Sequence, residues 1–316
     1  MNRFRILADY SAYLAVRVLV CLIQATSLET CQAWSRRVAR FAWHVLRLRR
    51  RVVDENLQIA FPTSTPAQRS AIAIAMWQHL LLMVAEIAHA PRKLHRTNWR
   101  DHSQVPQMQT IVRRLLDERP LVILSGHLGN FELGGYLLGL HGFHTHTIAR
   151  RLDNRFLYRW VNEFRGATGQ FMLDKTGTSG AIDDVLGRGG TLVLLGDQYA
   201  GDRACWTQFF GRPASTHKAV ALFTLSASAP TATCAVLRRG KPLHFEMAVA
   251  NLIDPLADPA DDEPSPTPMT VKGIIGWYSQ NLEGLIRSAP DQYWWVHRRW
   301  KGNPQRRRRR KAPRAA

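Results

Sequence analysis

His127 and Glu132 are the residues whose types and spacing first suggest chemistry. They lie in Pro120-Leu-Val-Ile-Leu-Ser-Gly-His-Leu-Gly-Asn-Phe-Glu-Leu-Gly-Gly-Tyr136. An imidazole can take a proton from a hydroxyl, and a carboxylate on its other ring nitrogen can fix its tautomer. Glu132 is close enough in sequence to be that carboxylate. Five residues on a regular helix turn through about 140°, which would separate the two side chains. They meet only if the chain bends between them, and Gly126 and Gly129 permit a bend. A core histidine beside a surface glutamate fits the same spacing equally well.

The elements around the pair have a recognisable order. Leu121 to Leu124 has the length and branching of a buried strand. Ser125 and Gly126 break it, and Phe131 to Leu140 reads as a helix. A strand feeding a helix through a glycine-rich turn is where open α/β sheets place their chemistry. The positive end of that helix would favour the neutral, proton-accepting imidazole.

Further strands are expected at Thr145 to Ala149, Thr191 to Leu195, Ala232 to Leu237 and Phe245 to Val249. Helices are expected from Pro66 to Pro91, with Thr65 as cap, and at Arg155 to Phe164, Ala181 to Leu186, Thr216 to Leu225 and Thr270 to Arg287. His79 and Glu86, inside the first of these, read as helix-core residues without a catalytic role. Asn251 to Pro268, rich in Asp and Pro, reads as a loop. Alternating strands and helices give an α/β fold with a mostly parallel mixed sheet flanked by helices.

The chain has 316 residues, 46% of them hydrophobic, which excludes a disordered protein. Its net charge of +19 implies an anionic partner: nucleic acid, an anionic membrane surface or an acidic substrate. Cys21, Cys31, Cys205 and Cys234 are scattered, fit a reducing compartment and suggest neither a disulfide framework nor a zinc site. His141, His144 and His146 lack a nearby carboxylate or thiolate, so no metal site is expected.

Residues 1–50 read as an N-terminal membrane-associating helical region. Tyr10 to Leu28 is mostly apolar, with Arg3 and Arg5 before it and a basic stretch, Arg36 to Arg51, behind it. It is about long enough to cross a bilayer, although Arg17 is costly near the centre. An interfacial anchor, a buried helix and a single-pass span all fit. In either membrane case Arg47 to Arg51 would face an anionic leaflet. Residues 51–301 then form the catalytic domain and 302–316 a basic tail.

His127-Leu-Gly-Asn-Phe-Glu132 after a buried strand resembles the H-x4-D/E box of glycerolipid-type acyltransferases, in the variant of the lipid A (late) acyltransferase family. Asn56-Leu-Gln-Ile-Ala-Phe-Pro62, Arg150 to Asn154, Arg165, Gly196-Asp-Gln198, Phe209-Phe-Gly211 with Ala214 and Thr216, and Gln292-Tyr-Trp-Trp-Val-His-Arg-Arg-Trp300 resemble further blocks of that family in the same order.

The resemblance implies transfer of a fatty acyl group from an acyl carrier protein or acyl-CoA thioester to a hydroxyl of a lipid A precursor. It implies His127 as base, oriented by Glu132, with no metal or cofactor. Arg150, Asn154, Arg165, Asp197, Gln198, Thr216 and Arg298 become substrate-binding candidates. Backbone N–H groups around Gly129 and Asn130 become oxyanion donors. The setting would be the cytoplasmic face of the inner membrane, with an acidic carrier protein drawn to a basic enzyme. Acylation of another glycolipid, such as a phosphatidylinositol mannoside, is the alternative within the chemistry. A non-catalytic membrane or nucleic-acid binding module is the alternative outside it. The tryptophans and arginines near the C-terminus come without a nucleic-acid fold signature, so nucleic acid is not an expected partner.

Overall fold

The apolar runs assemble into one seven-stranded sheet. The computed structural model describes residues 3–174, 179–256 and 269–304. Along the chain come helices α1 (Arg3–Gln24), α2 (Leu28–His44), α3 (Arg50–Ala60), α4 (Pro66–Lys93) and α5 (Trp99–His102). Strand β1 (Ser103–Gln104), α6 (Met108–Leu115), β2 (Leu121–Ser125), α7 (Gly134–Leu140), β3 (Thr145–Ala149), α8 (Arg155–Gly166) and β4 (Gln170–Asp174) follow. Then come α9 (Ser179–Gly187), β5 (Thr191–Leu195), β6 (Cys205–Phe209), β7 (Arg212–Thr216), α10 (Ala219–Ser226), β8 (Thr231–Arg238), β9 (Phe245–Ile253) and α11 (Val271–Ser288).

The sheet order is β1-β9-β8-β2-β5-β3-β4, and all pairings are parallel except β8 with β9. β2 is the central strand, which is why its sequence is continuously apolar rather than alternating. Successive side chains point to opposite faces. Val122 and Leu124 enter a core shared with Leu192, Ile274, Tyr278 and Leu282. Leu121 and Ile123 pack instead with Ile111 and Leu138 from α6 and α7.

α4 begins as its sequence requires. The Thr65 hydroxyl accepts from Gln68 N, the Gln68 side chain accepts from Thr65 N, and Pro66 occupies the first turn. The helix is held inside the protein, with Met76, His79, Leu82 and Glu86 buried.

α1 and α4 are both long and apolar enough to cross a membrane by length and composition. They are used differently, since no residue of α1 is buried. α1 meets α4, where Gln24 Nε2 donates to Ala88 O at 2.6 Å, and meets α8 through aromatic pairs of Tyr10 and Tyr13 with Phe156 and Trp160. Arg17 lies on this contact, 5.4 Å over the Trp160 ring and 2.8 Å from the Tyr13 hydroxyl. Phe4, Leu7, Val18 and Leu22 are exposed, and so are Trp34, Phe41, Val45 and Leu46 on and just after α2.

Three expectations change. Phe131–Leu133 is a 3-10 turn, and the regular helix starts only at Gly134. Thr216 is not a helix cap: it ends β7, which pairs antiparallel with β6, and its hydroxyl accepts from Arg299 Nη2 at 2.7 Å. Asn251, Leu252 and Ile253 belong to β9, while the 257–268 part of the expected loop and the 305–316 part of the tail lie outside the described residues.

Candidate active site

β2 and β5 run side by side in register, with Ser125 opposite Leu195. The chain therefore leaves the sheet twice at one place, as Gly126-His127 and as Gly196-Asp197-Gln198. Gly126 lets these turns approach, and Gly196 lets the second turn lie against α10. A Cβ on Gly126 would stand 3.1 Å from the Asp197 carboxyl carbon, and one on Gly196 would stand 2.7 Å from Val220 Cγ2.

Asp197, only 3% exposed, grips His127 twice. His127 Nδ1 donates to Asp197 Oδ1 at 2.8 Å, and His127 N donates to Oδ2 at 2.8 Å. This fixes both the backbone and the ring. With the Nδ1 proton committed, Nε2 carries the lone pair, and the Gln198 amide nitrogen stands 3.2 Å from it. The ring is wedged between Phe131 and Trp294, at centroid distances of 4.9 and 4.8 Å. Trp294 N donates to His127 O at 2.9 Å, so the segment after α11 is strapped onto the site.

The electrostatics follow from the pairing. Burial acts to lower the His127 pKa, but the Asp197 charge and hydrogen bond, with the Glu132 charge adding, carry it above the ordinary imidazole value. Burial acts to raise that of Asp197, yet His127 and then Arg299 hold it down at about 2. The expected bias toward neutral imidazole is thus reversed. No regular helix starts at His127 to supply a dipole, and a buried carboxylate sits on its ring.

Glu132 does not reach His127. Its carboxylate takes the fork of Arg165, with Nη2 at 2.8 and 2.9 Å and Nε at 3.1 Å. The carboxylate on the ring is that of Asp197, while Glu132 is turned toward Arg165 of α8. The same pair commits the Arg165 guanidinium to a carboxylate rather than leaving it open for phosphate.

The remaining expected residues separate. Arg150 is exposed at the cavity rim, 3.6 Å from Asp153. Asn154 caps α8, accepting from Phe156 N and Leu157 N and donating to Asp9 O at 2.7 Å. Gly129 has φ +63, and a Cβ there would overlap Val236 O. Gly129 N donates to Gln292 O and Asn130 N to Val236 O, so neither N–H is available to an oxyanion. Arg298 is exposed on a second cavity, whereas its neighbour Arg299 is 2% exposed. Arg299 bonds Ser215 O and Thr216 Oγ1 and packs over Phe209. That role was not anticipated; its signal is an arginine within an aromatic run, where a guanidinium packs on rings.

A cavity of about 880 Å³ opens at this site. His127, Phe131, Gln198 and Tyr199 border it, and it continues over the sheet past Ile123, Val193, Cys234 and Met247. Burial lifts the Cys234 thiol to about 12, so it acts there as an apolar wall. A base on the rim of an apolar cavity suits deprotonation of a hydroxyl beside a long aliphatic group.

A family model described as bacterial lipid A biosynthesis acyltransferase matches residues 1–302. The chain is 23% identical to the lipid A biosynthesis palmitoleoyltransferase of Escherichia coli (strain K12) over 275 residues, 85% of this chain and 84% of the relative. It is 23% identical, over the same shares, to the lipid A biosynthesis lauroyltransferase of that organism and to a lipid A biosynthesis acyltransferase of Shigella flexneri.

Proposed function

The chain belongs to the bacterial lipid A biosynthesis acyltransferase family, and from that premise we propose how its site works and on what. It moves a fatty acyl group from the thioester of an acyl carrier protein or of coenzyme A to a hydroxyl of a lipid A precursor. The observation that carries this reading is His127: Nδ1 locked on buried Asp197, Nε2 turned to the apolar cavity.

His127 Nε2 takes the hydroxyl proton as the oxygen attacks the thioester carbonyl. The C–O bond forms, and the carbonyl electrons move onto oxygen. The Gln198 amide beside Nε2 is the donor placed to meet that charge. Collapse of the intermediate breaks the C–S bond, and the leaving thiolate receives the proton from the imidazolium. Asp197 stabilises the imidazolium between the two transfers. The aliphatic chain of the donor lies in the cavity over β2, β5 and β8.

The exposed apolar side chains of α1 and α2, next to Arg47, Arg49, Arg50 and Arg51, suit an anionic bilayer surface, here the cytoplasmic face of the inner membrane. The purified chain, incubated with a lipid A precursor and either acyl carrier protein thioester or acyl-CoA, is expected to yield acceptor heavier by one acyl group in mass spectrometry. A preference for one thioester fixes the donor. No product with either thioester contradicts the reading.

A further inference from the structure

A second cavity, of about 1030 Å³, lies outside the catalytic one. Its walls come from α3, from the β6–β7 hairpin and from the segment after α11. Arg51, Arg212, Arg298 and Lys301 surround it, against the single carboxylate of Glu55. Glu55 is taken by Arg51, at 2.7 Å. Among the described residues, no ion pair engages Arg212, Arg298 or Lys301. Three like charges around one concavity raise each other's energy, and an anion between them relieves it. Guanidinium forks match phosphate oxygens in pairs.

The walls are fastened to one another. Asn56 Nδ2 donates to Trp295 O at 2.6 Å and to His297 O at 2.7 Å, which ties α3 to the C-terminal segment. Trp300 Nε1 donates to Phe209 O at 3.1 Å, which ties the same segment to the hairpin. This segment is also a wall of the catalytic site. Trp294 packs on His127, and Arg298 follows four residues later, a span of at most about 14 Å even if extended. Lys301 stands 5.8 Å over the ring of Tyr199, which borders the catalytic cavity. The groove and the catalytic site therefore share the C-terminal segment as a common wall. Along the chain its α3 end follows directly on the exposed Val45, Leu46 and Leu48 after α2.

We propose that this groove binds a phosphate group on the sugar headgroup of the acceptor, anchoring it away from the hydroxyl that reacts. The proposal rests on the reaction assigned above and says which residues read the acceptor's charge. Arg165 does not, since Glu132 holds its fork. A concave, partly apolar groove with Ile59 and Pro62 in its wall suits a sugar phosphate at a lipid surface better than the convex face of an acidic protein.

The test uses the full-length Arg212→Gln/Arg298→Gln protein, with Lys301→Gln as an independent variant. All three side chains are exposed, so folding is not at stake. With donor fixed, the ratio of kcat/KM for a phosphorylated over a dephosphorylated acceptor is expected to fall about tenfold, the loss lying in KM for the phosphorylated one. An unchanged ratio in both variants overturns the proposal. So does a rise in donor KM alone, which would make the groove a docking face for the carrier protein. Calorimetry with glucosamine 1-phosphate, glucosamine and inorganic phosphate separates the sources. Wild type is expected to bind the sugar phosphate and the double variant to lose it; inorganic phosphate binding as tightly as the sugar phosphate contradicts a headgroup site. If wild type transfers no acyl group to either acceptor, the reaction assignment fails, and the calorimetry still decides the groove.

Discussion

Two histidines flank one loop of this protein, and their surroundings have opposite consequences. His79 on α4 is 3% exposed and uses both ring nitrogens. Nδ1 accepts from Arg238 Nη1 at 2.7 Å, and Nε2 donates to Gly129 O at 3.1 Å. Burial and then the Arg238 charge hold it neutral, down to a pKa of about 3. His127, two residues before Gly129, has one nitrogen on a carboxylate and the other at the cavity, and its pKa moves up. His79 is buried and His127 half-buried, and both are hydrogen-bonded through both ring nitrogens, so hydrogen bonding alone does not separate them. What distinguishes His127 is a charge partner of opposite sign and an Nε2 that faces the cavity beside the Gln198 amide rather than a backbone carbonyl.

The companion carboxylates repeat the contrast. Glu86 is fully buried and collects Arg238 Nε and Nη2 at 2.6 Å each, Asn130 Nδ2 at 2.9 Å and Leu243 N at 3.1 Å. It holds Asn130 of the His127 loop from behind. Asp197 sits in front and takes the Nδ1 hydrogen bond of His127.

The comparison breaks most visibly at His127. His127→Ala is expected to lower turnover by about 10²–10⁴-fold, the usual worth of a general base, with the melting temperature near that of wild type. Near-normal turnover in a folded His127→Ala protein would assign the proton transfer elsewhere. The matching change behind the loop is Arg238→Ala, which strips the charge partner from buried Glu86. A loss of about 3–5 kcal/mol of stability in denaturant unfolding is expected, as for a broken buried ion pair. A loss under about 1 kcal/mol would mean that Glu86 and Arg238 do not hold the loop.

A smaller effect separates Glu132 from Asp197. The Glu132–Arg165 pair is partly exposed, at 29% and 19% for the two side chains, so its stability contribution is about 1 kcal/mol or less. Glu132→Gln is expected to lower turnover less than Asp197→Asn does, in parallel steady-state assays. The reverse order would return the orienting role to Glu132.

How much of this the sequence disclosed depends on distance along the chain. β2 and β5 were legible because each is a short apolar run ended by polar or glycine residues. The start of α4 was legible from Thr65-Pro66. The β6–β7 hairpin was not, because Arg212-Pro213 and Gln208 carry no strand alternation and Thr216 imitates a helix cap. His127 stood out by its place after a strand, and the neighbouring glutamate was the natural partner for it. The actual partner, Asp197, was recognised as a site residue but not as that partner. Seventy residues separate it from His127 along the chain, and only the register of β2 against β5 brings them together. The engagement of Arg165 is not legible either, because nothing in sequence shows that a residue 33 positions away takes its guanidinium.

The claim that Asp197 makes His127 the base is tested most directly by the pH dependence of kcat/KM in wild type and Asp197→Asn. Nε2 must be unprotonated to act, so the rate rises as pH passes the pKa of free His127. In wild type that acid limb is expected above the ordinary imidazole value, because the Asp197 carboxylate favours the protonated ring. Asp197→Asn removes the carboxylate and leaves burial, which favours the neutral ring, so the limb is expected to shift to lower pH while the maximal rate falls. An acid limb that stays in place, or moves up, would contradict the account.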